Sequence, residues 1–488
     1  MSQNSAQPPG RLAIAGRVAG PLLFLLILAL PSGTMGVAGL RVAAAIGWMA
    51  VWWVTEAAPL AITSLLPLVL FPLMAVRSVA KVAPNYTENM VFLFLGGFVL
   101  ALAVERSGLH RRIALNILHL VGSSPKRLVW GFLLSTAVLS MWLSNTATTL
   151  MMLPIASGVV DRTSRGRTAM RIYLAVAFGA SIGGLGTLIG TPPNLVLAGM
   201  APKLVKGLPT LTFGGWMLFG VPMVLLLLPV AGLLLGRGLS SDDTGARSAL
   251  EAERTALGPM SAAERRSAIL FALTALAWIT RSGMDFGSFS IPGWSQLLPN
   301  PKLVSDAVPA IAAACIAAIL PAGGGAKRPL VTWEEIRHGV PWGVLLLFGG
   351  GFAIADAVRA AALDTWLAGR LHGLSVLPLP ALVLVVALIA MGATELTSNT
   401  ATATLLVPVM AALAEALGEH AYVLMVPATV ACSCAFMLPV ATPPNAIVIG
   451  SGHVSATDLF REGIRLNLAS AVIITLLTLT LGRLVLPL

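Results

Sequence analysis

Charged residues are scarce in this sequence. Only 10% of its 488 residues are Asp, Glu, Lys or Arg, whereas soluble globular domains carry about 25%. A soluble fold is therefore excluded. The apolar stretches are continuous over about 20 residues, the length of a membrane helix, and lack the apolar-polar alternation of outer-membrane barrel strands. We predict an all-α integral membrane protein.

Residues that form disulfides, bind transition metals or carry out catalysis are also scarce. The three cysteines, Cys315, Cys432 and Cys434, lie in apolar segments, where packing is a better explanation than a disulfide framework. The six histidines show no metal-binding or catalytic spacing. A membrane-embedded enzyme needs clustered His, Asp, Glu or Cys at membrane depth. Because no such cluster is present, we expect neither enzymatic activity nor a cofactor.

The net charge of +11 is explained by membrane topology rather than by nucleic-acid binding. We predict about 11 transmembrane helices plus two re-entrant hairpins, with the amino terminus in the cytoplasm and the carboxyl terminus outside. With this count, roughly two thirds of the 31 Lys and Arg residues lie in cytoplasmic segments, as the positive-inside rule requires. The expected location is the cell (inner) membrane.

Three motifs occur twice, in the same order, at nearly constant separation. The first two pairs are 254 residues apart and the third pair is 251 residues apart. Such spacing indicates an internal duplication, which is typical of transporters built from repeats. The pairs are FLGGF ending at Phe98 with FGGGF ending at Phe352, SNTAT at Ser144 with SNTAT at Ser398, and TPPN at Thr191 with TPPN at Thr442.

The polar SNT motif lies in the middle of the apolar stretch 127–160. This stretch is too short for two complete spans, so it is predicted to be a re-entrant hairpin, and the stretch 377–417 is assigned likewise by the repeat. The hairpins then open to opposite sides, which makes the repeats inverted. The predicted divisions are 1–36 (first span), 37–236 (first repeat), 237–266 (solvated cytoplasmic loop), 267–463 (second repeat) and 464–488 (last span).

Both repeated polar motifs favour helix starts inside the membrane. Ser, Asn and Thr are strong N-cap residues, and proline is accommodated in the first helical turn but not farther along. Four helix N-termini near the membrane midplane present free N–H groups and partial positive charge, which bind anions. The carbonyl ends of the preceding half-helices suit Na⁺. Helix-helix adhesion by single Ser, Thr and Asn residues is the alternative, and the ordered repetition argues against it.

With these motifs the chain resembles the divalent anion/sodium symporter family, which carries dicarboxylates, citrate or sulfate. The segments WWVTEAAPL near Trp52 and PWGVLLLFGGGFAIA from Pro341 support the resemblance. It covers nearly the whole chain. The resemblance implies a homodimer in which each protomer has a scaffold domain and a transport domain that moves as an elevator.

The resemblance also implies the site residues. The first sodium site is expected to use Ser140, Ser144, Asn145 and the Gly190 carbonyl, and the second Thr394, Thr397, Asn399 and the Ala441 carbonyl. The family often has alanine at position 397. The anion contacts are expected at Asn145, Thr146, Asn399 and Thr400, with Thr191, Thr442 and Pro443 lining the pocket.

The expected function is import of C4-dicarboxylates such as succinate, malate or fumarate, coupled to sodium. A sodium-independent dicarboxylate exchanger and a sulfate or citrate carrier remain as alternatives, and a channel is disfavoured by the broken helices.

Three acidic residues outside the motifs invite separate hypotheses. Glu56 is expected to cap the next helix or pair with a loop arginine. Glu395, one turn before the second SNT motif, either tunes the cation site or serves as a hydrogen-bond partner. Asp356 is expected to form a local ion pair with Arg359, three residues on.

Overall fold

The computed structural model describes residues 11–163, 166–239, 246–285, 290–323, 326–371, 373 and 377–486. Regular structure in these residues is almost entirely helical. The first twelve helices are α1 Arg11–Leu28, α2 Gly36–Thr55, α3 Leu60–Thr63, α4 Leu66–Leu73, α5 Val79–Val82, α6 Asn89–Ser107, α7 Leu109–Val121, α8 Pro125–Ser140, α9 Asn145–Thr163, α10 Arg167–Gly184, α11 Pro192–Leu204 and α12 Phe213–Gly236.

The second half of the chain repeats this helical character. Its helices are α13 Ala246–Ala256, α14 Ala262–Thr280, α15 Ala307–Ile319, α16 Trp333–Gly339, α17 Trp342–Ala360, α18 Leu363–Leu371, α19 Leu379–Leu396, α20 Asn399–Leu417, α21 Tyr422–Cys432, α22 Pro443–Gly450, α23 Ala456–Leu479 and α24 Gly482–Val485. Two short antiparallel pairs join β1 Met284–Asp285 to β2 Ser290–Ile291 and β3 Pro321–Gly323 to β4 Ala326–Pro329.

Several helices are long and apolar enough to cross a membrane. The described residues contain seven such segments, and shorter apolar helices accompany them. Helix α1 is mostly exposed, as expected of a lipid-facing helix, whereas α10 is buried along nearly its whole length. The protein is therefore a multi-pass membrane protein.

The helices form two packed groups. In the first group, α10 packs on α8, α9 and α12, while α21 packs on α19, α20 and α23. Contacts of α12 with α23 and of α10 with α22 join the α10 part and the α21 part of this first group. The second group contains α2, α4, α6, α14, α15 and α17, and helix α11 lies between the groups, against both α20 and α17.

The segment predicted to be a solvated loop, 237–266, is largely structured. It contains α13 and the start of α14, where Ser261 and Glu264 form a reciprocal capping box. Arg111 of α7 pairs with Glu253, and Arg112 lies 2.7 Å from the carboxylate of Glu264. The segment thus contains helices that side chains of α7 contact, while most of its described residues are exposed. Residues 240–245 lie outside the described part of the chain.

Two expectations about acidic residues are wrong. Asp356 pairs with Arg77 at 2.9 Å, while Arg359 donates through Nη1 to the Lys203 carbonyl at 3.0 Å. A local pair three residues apart contributes only about 0.2–0.5 kcal/mol, so partners supplied by the tertiary fold outweigh it. Glu56 neither caps the next helix nor pairs with an arginine in the described structure. It ends α2 in a left-handed conformation, with φ 49°.

Candidate substrate and cation site

The two SNT motifs and the two TPPN motifs meet at one cavity of about 1000 Å³. Four helices, α9, α11, α20 and α22, begin within these motifs, where the sequence also predicts helix starts. Two predicted site residues, Ser140 and Thr394, are fully buried and do not line the cavity. The other predicted residues line it: Ser144, Asn145, Thr146, Gly190, Thr191, Thr397, Asn399, Thr400, Ala441, Thr442 and Pro443.

The first SNT motif forms a tight tip between α8 and α9. The chain reverses within Met141–Ser144, and the Ser144 hydroxyl accepts a hydrogen bond from the Ala147 amide at 3.2 Å. This contact is the N-cap that the motif predicts. In the second tip, Ser398 precedes α20 without such a side-chain bond. The two tips therefore share their backbone course but differ in how they are capped.

An oxygen cluster lies directly behind the first tip. The Ser140 hydroxyl is 2.7 Å from the Asn145 side-chain oxygen and 2.7 Å from the Ala180 carbonyl oxygen. A hydroxyl has one hydrogen, so it can donate to only one of these two acceptors. The cluster retains unshared lone pairs at close range, which favours a bound cation.

The second repeat builds the same cluster from different residue types. The Thr394 hydroxyl lies 2.7 Å from the Asn399 side-chain oxygen and 2.8 Å from the Cys432 carbonyl oxygen. Hard cations prefer oxygen ligands of this kind. Among the described residues there is no group of three or more His, Cys, Asp or Glu arranged to hold a metal ion. A cation at this site would therefore be held by hydroxyl, amide and carbonyl oxygens.

The asparagines of the TPPN motifs shape the loops that precede α11 and α22. The Asn194 side-chain amide donates to the carbonyls of Gly184 and Thr187, at 3.2 and 2.8 Å. The Asn445 amide donates to the equivalent carbonyls of Ala435 and Leu438, at 3.0 and 2.9 Å. These bonds fix the backbone that carries Gly190 and Ala441. The matched pattern supports the duplication at the level of individual hydrogen bonds.

The second repeat differs by one buried carboxylate, that of Glu395. Its oxygens accept hydrogen bonds from the amides of Met437 and Leu438, at 3.0 and 2.8 Å, and from the Asn467 side chain at 2.9 Å. The corresponding loop of the first repeat is held by the Thr187 hydroxyl, which bonds to the Met141 carbonyl. Glu395 is thus a hydrogen-bond partner that positions the loop carrying Ala441.

The Thr397 side chain makes hydrogen bonds within the second tip. Its hydroxyl donates to the Ala393 carbonyl at 2.9 Å and lies 2.5 Å from the Thr402 hydroxyl. The side chain is therefore bonded within its own hairpin, although the residue lines the cavity.

The electrostatics of the cavity come mostly from the backbone. No Lys, Arg or His lies among the described residues that line it, and its only charged lining residues are Glu56 and Glu105. The positive potential at its polar end is supplied by the four helix N-termini, each equivalent to about half a unit charge. An anion can be bound there by amides and hydroxyls, with no cationic side chain left buried after release.

The sequence did not predict every group that forms the site. The carbonyls of Ala180 and Cys432 complete the two oxygen clusters, yet a carbonyl carries no residue-type signal. Asn194 and Asn445 did have a signal, since both stand at the same place in a repeated motif.

Comparisons with known proteins agree with this architecture. The profile of the sodium:sulfate symporter transmembrane region matches residues 13–488. The sodium-dependent dicarboxylate transporter SdcS of Staphylococcus aureus (strain NCTC 8325 / PS 47) is 38% identical over 480 residues, covering 95% of this chain and 90% of SdcS. SdcS of the COL strain matches equally well.

Two solved structures share the fold at low sequence identity. Neisseria gonorrhoeae MtrF, described as an antimetabolite efflux pump, superimposes with a TM-score of 0.58 at 11% identity, covering 82% of each chain. The YdaH transporter of Alcanivorax borkumensis gives 0.56 at 15% identity, covering 83% of this chain and 88% of YdaH.

The family match and the similarity to SdcS thus identify a membrane transporter rather than an enzyme. The chain belongs to the sodium:sulfate symporter family, as the resemblance of its motifs predicts.

Proposed function

We propose that this protein imports C4-dicarboxylates such as succinate, malate or fumarate by coupling them to sodium. The observation that carries the proposal is the pair of matched oxygen clusters, at Ser140 and at Thr394, flanking one cavity whose polar wall holds four helix N-termini. The clusters suit two small cations and the N-termini suit an anion. The sequence similarity to SdcS, a sodium-dependent dicarboxylate transporter, supports the same assignment.

The proposed ligand roles are those that the resemblance to the symporter family implies. Ser140, Ser144, Asn145 and the Gly190 carbonyl hold one sodium ion, and Thr394, Thr397, Asn399 and the Ala441 carbonyl hold the other. The dicarboxylate contacts Asn145, Thr146, Asn399 and Thr400 between them, beside Thr191, Thr442 and Pro443. Two sodium ions neutralise a dianion, so the loaded site carries no net charge of its own.

The proposed transport cycle is an elevator movement in a homodimer. The first helix group, with both SNT hairpins and both TPPN breaks, forms the mobile transport domain, and the second group forms the scaffold. The repeats are inverted, and about 11 spans with two re-entrant hairpins cross the inner membrane. Each proposed binding element belongs to the transport domain, so that domain can carry the site as one unit.

The residues that line the cavity support a proposed orientation for this conformation. Glu105, near the end of α6, and Gly339, at the end of α16, line the cavity on the side of Arg106, Arg111 and Arg112. Basic segments mark the cytoplasmic face, where the amino terminus also lies. The conformation is therefore inward-open.

A transport assay separates this proposal from its alternatives. Labelled succinate uptake into proteoliposomes is measured with an inward sodium gradient, with equal sodium on both sides, and with potassium only. Symport requires accumulation that follows the gradient. Uptake in potassium that depends on succinate inside the vesicles identifies an exchanger instead, and competition by sulfate or citrate tests the remaining alternative.

A further inference from the structure

Two carboxylates line a cavity that is proposed to bind anions. Glu56 ends α2 and is exposed, and Glu105 lies near the end of α6 and is half-buried. They are the only charged residues among those that line the cavity in the described structure. We refer to Glu56 and Glu105 together as the acidic mouth.

Neither carboxylate of the acidic mouth forms an ion pair within the described residues, and a shortage of cations does not explain this. The protein carries a net charge of +11, and nine other carboxylates in the described residues form ion pairs. The nearby Arg106 pairs with Glu335, and Arg17 donates to the Ala57 carbonyl at 3.1 Å. Neither arginine lines the cavity, so the charged side chains that line it in the described structure are both negative.

A fixed negative charge at the entrance acts on every anion in proportion to the charge of that anion. Its field favours sodium in the cavity, disfavours a dianion moderately and disfavours a trianion more. We propose that the acidic mouth is a charge-selectivity filter, which makes the inward-open cavity prefer dianionic over trianionic carboxylates. The inference rests on the proposed transport function and identifies residues that set its substrate range.

The size of the effect follows from Coulomb's law. One unit charge about 10 Å away through water changes the binding constant of another by about twofold, and salt reduces this change. A trianion carries one unit more than a dianion. Neutralising one mouth carboxylate should therefore raise the affinity for a trianion, relative to a dianion, by about twofold, and neutralising both by about fourfold.

The test uses Glu56→Gln, Glu105→Gln and the double variant of the full-length protein, purified in detergent. Glu415→Gln is the matched control, because Glu415 is exposed at the end of α20 and does not line the cavity. Binding of labelled succinate, and its competition by citrate at an alkaline pH where citrate is a trianion, are measured at fixed sodium. The measurements are repeated with added choline chloride, which raises the ionic strength without adding sodium.

The expected result is a citrate-to-succinate affinity ratio about fourfold higher in the double variant than in wild type, falling toward the wild-type ratio in choline chloride. Glu415→Gln should leave the ratio unchanged. An unchanged ratio in the double variant, or one insensitive to salt, overturns the selectivity filter. Absence of sodium-dependent succinate binding in the wild type overturns the proposed function itself. Failure of the selectivity filter is therefore measured on the variants, and failure of the proposed function on the wild-type protein.

Discussion

At the scale of single residues, the hydroxyls of Ser140 and Thr394 occupy a position that a bound cation would stabilise. Each stands within 2.8 Å of two oxygen acceptors but has one hydrogen to donate. Both side chains are fully buried, so water does not reach them from the cavity surface. A positive ion beside each hydroxyl removes the repulsion between the remaining lone pairs. If sodium binds at these two positions as proposed, its affinity is linked to the stability of the fold.

Thr394→Val tests this link, because valine has the shape of threonine without the hydroxyl. A polar group that contacts a charged partner contributes about 1.5–3 kcal/mol. Without the Thr394 hydroxyl, the apparent sodium affinity should therefore fall about tenfold or more. The measurement is succinate binding as a function of sodium concentration. Thr394→Ser keeps the oxygen and should restore most of the affinity.

The control for this substitution is Thr429→Val. Thr429 is fully buried in the neighbouring helix α21, and within the described part of the chain its hydroxyl bonds only to the Met425 carbonyl of that helix. Its replacement should leave sodium affinity near the wild-type value. Equal losses in Thr394→Val and Thr429→Val would show that the effect is general destabilisation rather than cation binding.

At the scale of secondary-structure elements, close crossing of α8 and α10 brings the first oxygen cluster together. A Cβ added at Gly183 would lie 2.2 Å from the Ala137 carbonyl oxygen, and one at Gly179 would lie 2.7 Å from the Leu133 carbonyl oxygen. Small residues spaced four apart permit such close backbone approach in membrane proteins. The Ser140 hydroxyl reaches the Ala180 carbonyl across this crossing.

Gly183→Ala should force the two helices apart. Because the obstructing atom is backbone, the strain cannot be relieved by rotating a side chain, and we expect a loss of about 1–3 kcal/mol in stability together with weaker sodium binding. Thermal unfolding of the purified protein, with and without sodium, measures both effects. Gly392→Ala in α19 is the control, since an added Cβ there meets nothing within 4 Å. If Gly183→Ala unfolded at the wild-type temperature with an unchanged sodium-induced shift, the crossing would have no role in the site.

Secondary-structure elements were predictable from the sequence where residues within one helical turn determine them. Helix starts at Asn145, Pro192, Asn399 and Pro443 follow from N-cap residues and from the fixed φ of proline, which act within one turn. The repeat then identified which residues share one site. The partners of Asp356 were not predictable, because Arg77 is 279 residues away and only the folded chain brings them together.

Long-range packing also determines the hydrogen-bond partners of Glu395. From the sequence, tuning of the cation site and a structural hydrogen-bond role were equally reasonable for a carboxylate one turn before a polar motif. The amides of Met437 and Leu438 bind it only because α19 lies beside the loop before α22. The segment 246–256 was missed for a related reason, since its helix is polar and is held by ion pairs rather than by apolar periodicity.

At the scale of the whole molecule, a polar clasp joins the two helix groups far from the cavity. Lys203 at the end of α11 bonds through Nζ to Glu88 Oε1 at 2.5 Å and to Asn85 Oδ1 at 3.0 Å, and its carbonyl accepts from Arg359 at 3.0 Å. Glu88, Asn85 and Arg359 belong to the proposed scaffold. The proposed elevator movement of α11 would break these bonds, so they stabilise the conformation that is proposed to be inward-open.

Lys203→Met should shift the conformational equilibrium outward. A partly exposed ion pair contributes up to about 1 kcal/mol, which corresponds to about a fivefold change in the population ratio. The readout is cytoplasmic labelling of a cysteine at the cavity-lining position Leu150, which should slow in the variant. Lys302→Met, which removes an exposed lysine outside any ion pair in the described residues, should not change the rate. Faster or unchanged labelling in Lys203→Met would contradict the clasp.

The last prediction concerns charge balance across the whole transport site. Four helix N-termini at about half a unit charge each give limited attraction for a dianion, while two sodium ions add two full charges. Sodium should therefore raise succinate affinity, and by linkage succinate should raise sodium affinity by the same factor. Lowering the pH through the second pKa of succinate should weaken apparent affinity, since the monoanion replaces the dianion. The measurement is succinate binding across a sodium series with potassium replacing sodium at constant ionic strength. Equal affinity in sodium and potassium would exclude symport and favour the sodium-independent exchanger.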